Sequence, residues 1–139
     1  MEAASGGLGD RSRPVCDKLR PVTTLYVAIG GLAGVLTRFG VSRLTLHHES
    51  LLWATVGINL AGSFLLGLLA AESWFTRDLR EGIGVGFLGG LTTFSTFSVQ
   101  AVIEVDAGRA PTAAAYVAAS VIGGIAAAAA GYWLGRRLA

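Results

Sequence analysis

The sequence predicts an all-α membrane protein with four transmembrane helices, the third of them broken. Of its 139 residues, 53% are hydrophobic and only 14% are charged, whereas a soluble domain carries about a quarter charged residues. The charged residues lie between and beyond four apolar segments. One of these segments contains a run of glycine and hydroxyl residues where aliphatic residues would be usual in a lipid-spanning helix.

Residues 1–21 are predicted to be a disordered basic tail that precedes the membrane domain. The tail contains Arg11, Arg13, Lys18 and Arg20 and lacks the apolar centre that a secretory signal requires. An extension without a role is an equally good interpretation, because chain termini are loosely constrained. Cys16 is the only cysteine, so the sequence predicts neither an intramolecular disulfide nor a cysteine metal cluster.

The membrane domain is predicted over residues 22–139, with apolar segments at 22–36, 51–71, 83–103 and 110–134. A helix needs about 20 residues to cross roughly 30 Å of hydrocarbon. The first segment must therefore continue past Arg38 toward Leu46. Four helices with short loops leave no room for a soluble catalytic domain.

Four helices of this length enclose little volume, so we expect an oligomer rather than a pore within one subunit. Glycines four residues apart allow close helix contact. Such pairs are Gly30 and Gly34, Gly82 and Gly86, Gly86 and Gly90, and Gly131 and Gly135. With the tail counted, the positive-inside rule places both termini in the cytoplasm. Without it, the basic charge is nearly balanced between the two sides, as an antiparallel pair would require.

The most informative run is G-I-G-V-G-F-L-G-G-L-T-T-F-S-T-F-S, at residues 82–98. Its five glycines are followed by five hydroxyl side chains and two phenylalanines, without any charge. A broken membrane helix is tolerated where the freed backbone is buried in protein or faces a watery cavity. The run therefore predicts a binding or conduction element. The alternative is a closely packed helix whose hydroxyls bond back to its own carbonyls.

Two further features favour an anion as the ligand of this element. Asn59 lies near the middle of the second segment, and its amide offers two N–H donors without a negative charge. The alternative for Asn59 is a hydrogen bond between helices. Phe94 and Phe97 share one helix face, and the positive edges of their rings can contact a small anion. Ordinary aromatic packing is the alternative for this pair.

Three other functions are alternatives to an anion pathway. A proton-coupled small-molecule exporter generally needs a carboxylate inside the membrane, but the nearest acidic residues lie at segment ends: Glu72, Glu81 and Glu104. An intramembrane hydrolase using Ser95 or Ser98 would need a base within reach. The histidines, His47 and His48, are expected to be solvated residues of the first loop. The third alternative is a structural partner that helps another channel subunit to assemble.

Three motifs carry a family resemblance: G-x-x-G-x-x-x-R-F at 31–39, G-I-N-L-A-G-S-F-L-L-G at 57–67, and G-F-L-G-G-L-T-T-F-S-T-F-S at 86–98. Together they resemble the bacterial fluoride channels, also called the camphor-resistance protein B family, over about residues 25–135. The resemblance implies a non-enzymatic, multi-pass protein of the bacterial cell membrane. Such a channel exports fluoride passively and lowers its cytoplasmic concentration. Its expected partners are fluoride and membrane lipid, with no nucleic acid.

The same resemblance implies a dual-topology antiparallel dimer, either a homodimer or a heterodimer with a paralogue. A structural sodium ion would lie at the dimer interface, bound by the main-chain carbonyls of Gly89 and Thr92. Sodium is a hard cation that suits carbonyl oxygens, which an unwound glycine-rich turn sets free.

Site residues carried over by resemblance lie on all four helices. Asn59 would donate to fluoride, Phe94 and Phe97 would line the pathway, and Arg38 would raise the anion concentration near the vestibule.

Hydroxyl contacts would come from Ser95 or Thr96 and from a polar track made by Tyr116 and Ser120. One turn later this chain has Gly124, where many members of the family carry a hydroxyl. Because fluoride is small and strongly hydrated, a selective path must replace its water with converging donors.

Overall fold

Helices account for all the regular secondary structure in the part of the chain that the structure describes. This computed structural model describes residues 20–45, 48–71 and 74–138. The elements are α1 (Pro21–Leu44), α2 (His48–Ala71), α3 (Arg77–Glu81), a π-helical segment (Gly82–Leu88), α4 (Gly89–Leu91), α5 (Phe94–Asp106) and α6 (Ala110–Leu138). Apart from Arg20 and Pro21, the predicted tail lies outside the described residues, as do His47 and Glu72.

Four stretches of these described residues are helical, long and apolar enough to cross a membrane. They are Pro21–Leu44, Ser50–Ala71, Arg77–Asp106 and Ala110–Leu138. The prediction of an all-helical protein with four such spans is confirmed, and the first helix continues past Arg38 as its length required. Two boundaries were wrong. Pro21 already lies in α1, because proline is preorganised for the first helical turn, and His48 is the first residue of α2 rather than a loop residue.

The third span, Arg77–Asp106, changes conformation along its length. Its π-helical segment contains three of the glycines and is followed by the single turn of α4. Thr92 and Thr93 then have extended backbone angles, with ψ values of 155° and 125°, before α5 begins at Phe94. π-Helical turns are rare and occur frequently at functional sites. We call Thr92 and Thr93 the junction.

Glycines hold the helices at close contact within the subunit. α1 packs on the π-helical segment and α4, while α2 packs on α6. A Cβ atom at Gly34 would overlap the backbone carbonyl of Phe87, and one at Gly131 would overlap that of Phe64. Every glycine of the four predicted pairs has a neighbouring atom that an added Cβ would overlap. These glycines therefore make close helix contacts within the subunit, and the oligomer in whose support the pairs were offered stays a prediction.

Gly34→Ala is expected to lower the free energy of unfolding by about 1–3 kcal/mol, the usual cost of overpacking. The matched control is Gly40→Ala in the same helix, because no atom lies within 4 Å of the position its Cβ would take. Thermal unfolding of both purified variants in detergent measures the difference. Equal melting temperatures for Gly34→Ala and Gly40→Ala would contradict this account of the α1 contact.

Candidate functional site

Asn59 on α2 binds the junction with both ends of its side-chain amide. Its Oδ1 accepts a hydrogen bond from the Thr93 backbone N–H at 2.9 Å, and its Nδ2 donates to the Thr93 carbonyl at 3.1 Å. The first of these bonds pairs the Thr93 N–H, which has no partner within the helices of the third span. An amide nitrogen carries two hydrogens, so one N–H of Asn59 is not used by the carbonyl of Thr93. Asn59 therefore joins two helices, and its second N–H makes no hydrogen bond to the residues that the structure describes.

Two hydrogen bonds at the junction change the partners of two carbonyl groups in the third span. In a continuous α-helix, the Thr93 N–H would bond to the Gly89 carbonyl, but here it donates to Asn59. The Thr96 N–H would likewise bond to the Thr92 carbonyl. Instead it donates to the hydroxyl of Thr93 at 3.3 Å. The carbonyls of Gly89 and Thr92 are thus both relieved of their α-helical donors.

Thr93 also begins α5 as its N-cap and organises a cluster of hydroxyl groups there. Its Oγ1 lies 3.1 Å from Thr96 Oγ1 and 3.3 Å from Ser95 Oγ. The N-terminus of a helix carries partial positive charge and unpaired N–H groups, which favour anions. The hydroxyl residues predicted from the sequence therefore meet at an electropositive helix end.

A cavity of about 360 Å³ lies beside the junction between α2, the third span and α6. We call it the Asn59 cavity. Its lining includes Asn59, Gly62, Ser63, Thr92, Thr93, Phe94, Phe97, Ser120 and Gly124. The Ser120 Oγ is buried and has no hydrogen-bond partner among the described residues. An unpaired buried polar group lowers stability by about 1–3 kcal/mol. This hydroxyl therefore favours binding of a ligand that can accept a hydrogen bond.

A second cavity, of about 230 Å³, contains the predicted vestibule residue Arg38. We call it the Arg38 cavity. It is lined also by Ser42, Thr55, Thr93 and Thr96, and Thr93 is the residue that it shares with the Asn59 cavity. Arg38 Nε donates to the Gly90 carbonyl, in the middle of α4, at 3.2 Å. This bond holds a positive charge close to the junction.

Phe94 and Phe97 both line the Asn59 cavity, but their environments differ. Their ring centroids are 5.7 Å apart and their planes are inclined at 49°. Phe97 is only 8% exposed and packs on Tyr116, with centroids 5.3 Å apart, whereas Phe94 is 78% exposed. Phe97 is therefore both a core residue and a cavity wall. Phe94 stands at the surface of the subunit.

The sequence profile of the family described as CrcB-like protein, Camphor Resistance (CrcB), matches residues 25–132. The chain belongs to this family. The resemblance inferred from the three motifs is thereby confirmed.

Curated relatives in the CrcB family align over most of this chain. A protein of Azotobacter vinelandii named fluoride-specific ion channel FluC is 42% identical over 114 residues, which cover 78% of this chain and 92% of the relative. A protein of Rhodococcus jostii named fluoride-specific ion channel FluC 2 is 43% identical over 117 residues, which cover 84% of this chain and 98% of the relative. A protein of Bacillus thuringiensis named fluoride-specific ion channel FluC 1 is 39% identical, over 84% of this chain and 90% of the relative. Together with its four spans, these matches make the chain a multi-pass membrane protein.

Of the site residues predicted from the sequence, all but Tyr116, Ser95 and Gly89 line one of the two cavities. Tyr116 is buried and donates to Gln100 Oε1 at 2.7 Å, so it supports Phe97 from behind. Two further residues were not predicted from the sequence: Gln100, which follows Phe97 by three residues on the same helix face, and Ser63, one turn after Asn59. Helical spacing could have found both residues.

The structure gives no support to the two chemical alternatives. Ser98 Oγ donates to the Phe94 carbonyl at 2.8 Å, the back-bond expected of a structural hydroxyl in a membrane helix. Glu104 is fully buried, but it lies near the end of α5 and forms a two-point ion pair with Arg109 at 2.7 and 2.8 Å. Neither side chain lines the Asn59 cavity or the Arg38 cavity.

Proposed function

We propose that this chain forms a fluoride-selective ion channel through which fluoride leaves the cell passively. The observation that carries the proposal is the Asn59 cavity, which places an amide, a buried unpaired hydroxyl and two aromatic rings beside the junction. None of its lining residues is charged. The relatives named fluoride-specific ion channels support the choice of ion. The chain is a channel rather than an enzyme.

The chemistry of the cavity suits an ion that must lose water to enter. Fluoride holds its hydration shell strongly, so a selective path has to supply several donors in a narrow space. Asn59 offers its remaining N–H, Ser120 offers its hydroxyl, and the edges of Phe94 and Phe97 carry positive partial charge. A lining without carboxylates avoids both repulsion of the anion and coupling to protons.

The Arg38 cavity would serve as the entrance to this path. A guanidinium held beside α4 attracts anions and raises their local concentration. Thr96 and Thr93 then offer hydroxyls at the N-terminus of α5, with Ser95 beside them. Because Thr93 lines both cavities, we place the passage from one to the other at its side chain.

We further propose an antiparallel dimer in the bacterial cell membrane. A subunit that leaves Phe94 78% exposed beside the junction presents half of a pathway wall, which a second subunit would complete. Outside the tail the basic charge is nearly balanced, which allows insertion in both orientations, whereas the tail favours cytoplasmic termini. The numbered names FluC 1 and FluC 2 hint at paralogues. A paralogous heterodimer, with this chain in an assembly role, is therefore the second candidate.

A sodium ion at the dimer interface would fit the backbone of the junction. Gly89 is exposed on the subunit, and its carbonyl and that of Thr92 have lost their α-helical donors. Two such oxygens from each of two subunits would give a hard cation the ligands it prefers. The ion would supply positive charge that holds the two junctions together, and the broken third span would be the element that makes its site.

Fluoride efflux from liposomes that contain only this purified chain tests the proposed function. We expect rapid, electrogenic fluoride efflux once a potassium ionophore relieves the charge imbalance. Vesicles that stay silent, although the chain is folded and dimeric, would reject the homodimeric channel. Efflux that appears only when a paralogue is added would establish the heterodimer instead.

A further inference from the structure

We propose that Ser63 is a further fluoride-binding residue. Its hydroxyl would donate to the ion at the end of the Asn59 cavity where α6 has a glycine, Gly124, instead of a polar side chain. This inference rests on the proposed function and adds a residue to its pathway. It concerns the part of the cavity that lies one helical turn beyond Asn59 on α2.

The first observation is the spacing of polar residues on α2. Asn59 and Ser63 are four residues apart, so they lie on the same face of the helix, one turn from each other. Both line the Asn59 cavity. The apolar residue that lines the cavity after Ser63 is Leu66. Ser63 is therefore the last polar residue that α2 contributes to the lining.

The second observation comes from α6, which faces α2 across the cavity. Ser120 contributes a hydroxyl, but the position one turn later is Gly124, and its neighbour Ile125 is apolar. The one heavy atom within 4 Å of an ideal Cβ at Gly124 is the Oγ of Ser63, at 3.8 Å. The hydroxyl of Ser63 thus points across the cavity at the space that a side chain on residue 124 would fill.

These positions give Ser63 a specific task in anion passage. A partly dehydrated anion needs a hydrogen-bond donor at each level of its path. At the level of Gly124 the lining is otherwise apolar, with Leu66 on α2 and Ile125 on α6. A serine hydroxyl donates one hydrogen bond and rotates freely to reach its acceptor. Ser63 supplies from α2 the donor that α6 lacks.

The test is Ser63→Ala alone and combined with Gly124→Ser, compared with wild type by fluoride efflux per folded dimer. We expect Ser63→Ala to lower fluoride flux by roughly 10-fold, since hydrogen bonds to charged groups are among the strong ones. The added Gly124→Ser change should restore most of it, because it returns a hydroxyl to the same space. Thr37→Val is the control: its hydroxyl bonds to the Ala33 carbonyl on the exposed side of α1, outside both cavities.

The outcomes separate this inference from the proposed function. A folded wild-type chain that conducts no fluoride, alone or with a paralogue, would overturn both. A conducting wild type with unchanged flux in Ser63→Ala would overturn the role of Ser63 alone. So would a loss that Gly124→Ser fails to reverse, because Ser63 would then act through packing. If Ser63→Ala does not fold, Ser63→Cys takes its place, since a thiol of similar size is a weak donor.

Discussion

Asn59→Asp is expected to reduce fluoride flux by roughly 10- to 100-fold, the effect of losing a hydrogen bond worth about 1.5–3 kcal/mol to a charged group. The carboxylate would still accept from the Thr93 N–H but would no longer donate to its carbonyl. It would also place a negative charge beside the path of an anion. Fluoride efflux from liposomes, normalised to dimer recovered by gel filtration, measures the change.

Asn59→Ala is the matched comparison, because it removes both hydrogen bonds to Thr93 without adding a charge. If Asn59 contacts the ion, Asn59→Asp should conduct less than Asn59→Ala at equal dimer content. If Asn59 only joins α2 to the junction, both variants should yield less dimer. Normal flux per surviving dimer would then contradict a role in conduction.

Phe94→Ile is expected to lower fluoride flux by up to roughly 10-fold, equivalent to about 1.5 kcal/mol, the upper range of a specific aromatic contact. The substitution keeps much of the apolar volume but removes the ring edge. Because Phe94 is 78% exposed in the subunit, the melting temperature of the subunit should change little. Efflux and thermal unfolding, measured on the same preparation, separate the two effects.

Phe97→Ile provides the contrast, since Phe97 is buried against Tyr116. That variant should lose both stability and flux. Phe75→Ile is the control for a phenylalanine that is 40% exposed and outside both cavities, and it should alter neither property. A Phe94→Ile variant that loses stability in proportion to its flux would identify ordinary packing rather than a pathway wall.

The number of spans could be predicted from the sequence because it depends on local composition. Apolar length alone determines which segments can cross a membrane. The run at 82–98 departs from aliphatic composition, and this departure is visible without a structure. Asn59 could be found for the same reason, as a carboxamide within an apolar segment. The position of Arg38 within α1 followed from length alone, because the first segment had to continue past this residue to cross the membrane.

The partners of these residues could not be predicted, because they come from distant parts of the chain. Asn59 bonds to Thr93, 34 residues away, and no pattern in either segment specifies that pairing. The unlike burial of Phe94 and Phe97 depends on how α5 packs on α6. Helical spacing places both rings on one face of α5 but does not specify which part of that face is buried. That Ser63 lies opposite Gly124 likewise depends on how α2 packs on α6, which the sequence does not specify.

The central claim is that this chain alone makes a path selective for fluoride. The most direct test is the reversal potential of a planar bilayer containing the purified wild-type chain, with sodium fluoride at different concentrations on the two sides and sodium chloride added to the dilute side. We expect a current whose reversal potential follows the fluoride gradient and is unaffected by replacing chloride with a larger anion. A reversal potential that follows chloride, sodium or protons would contradict the claim.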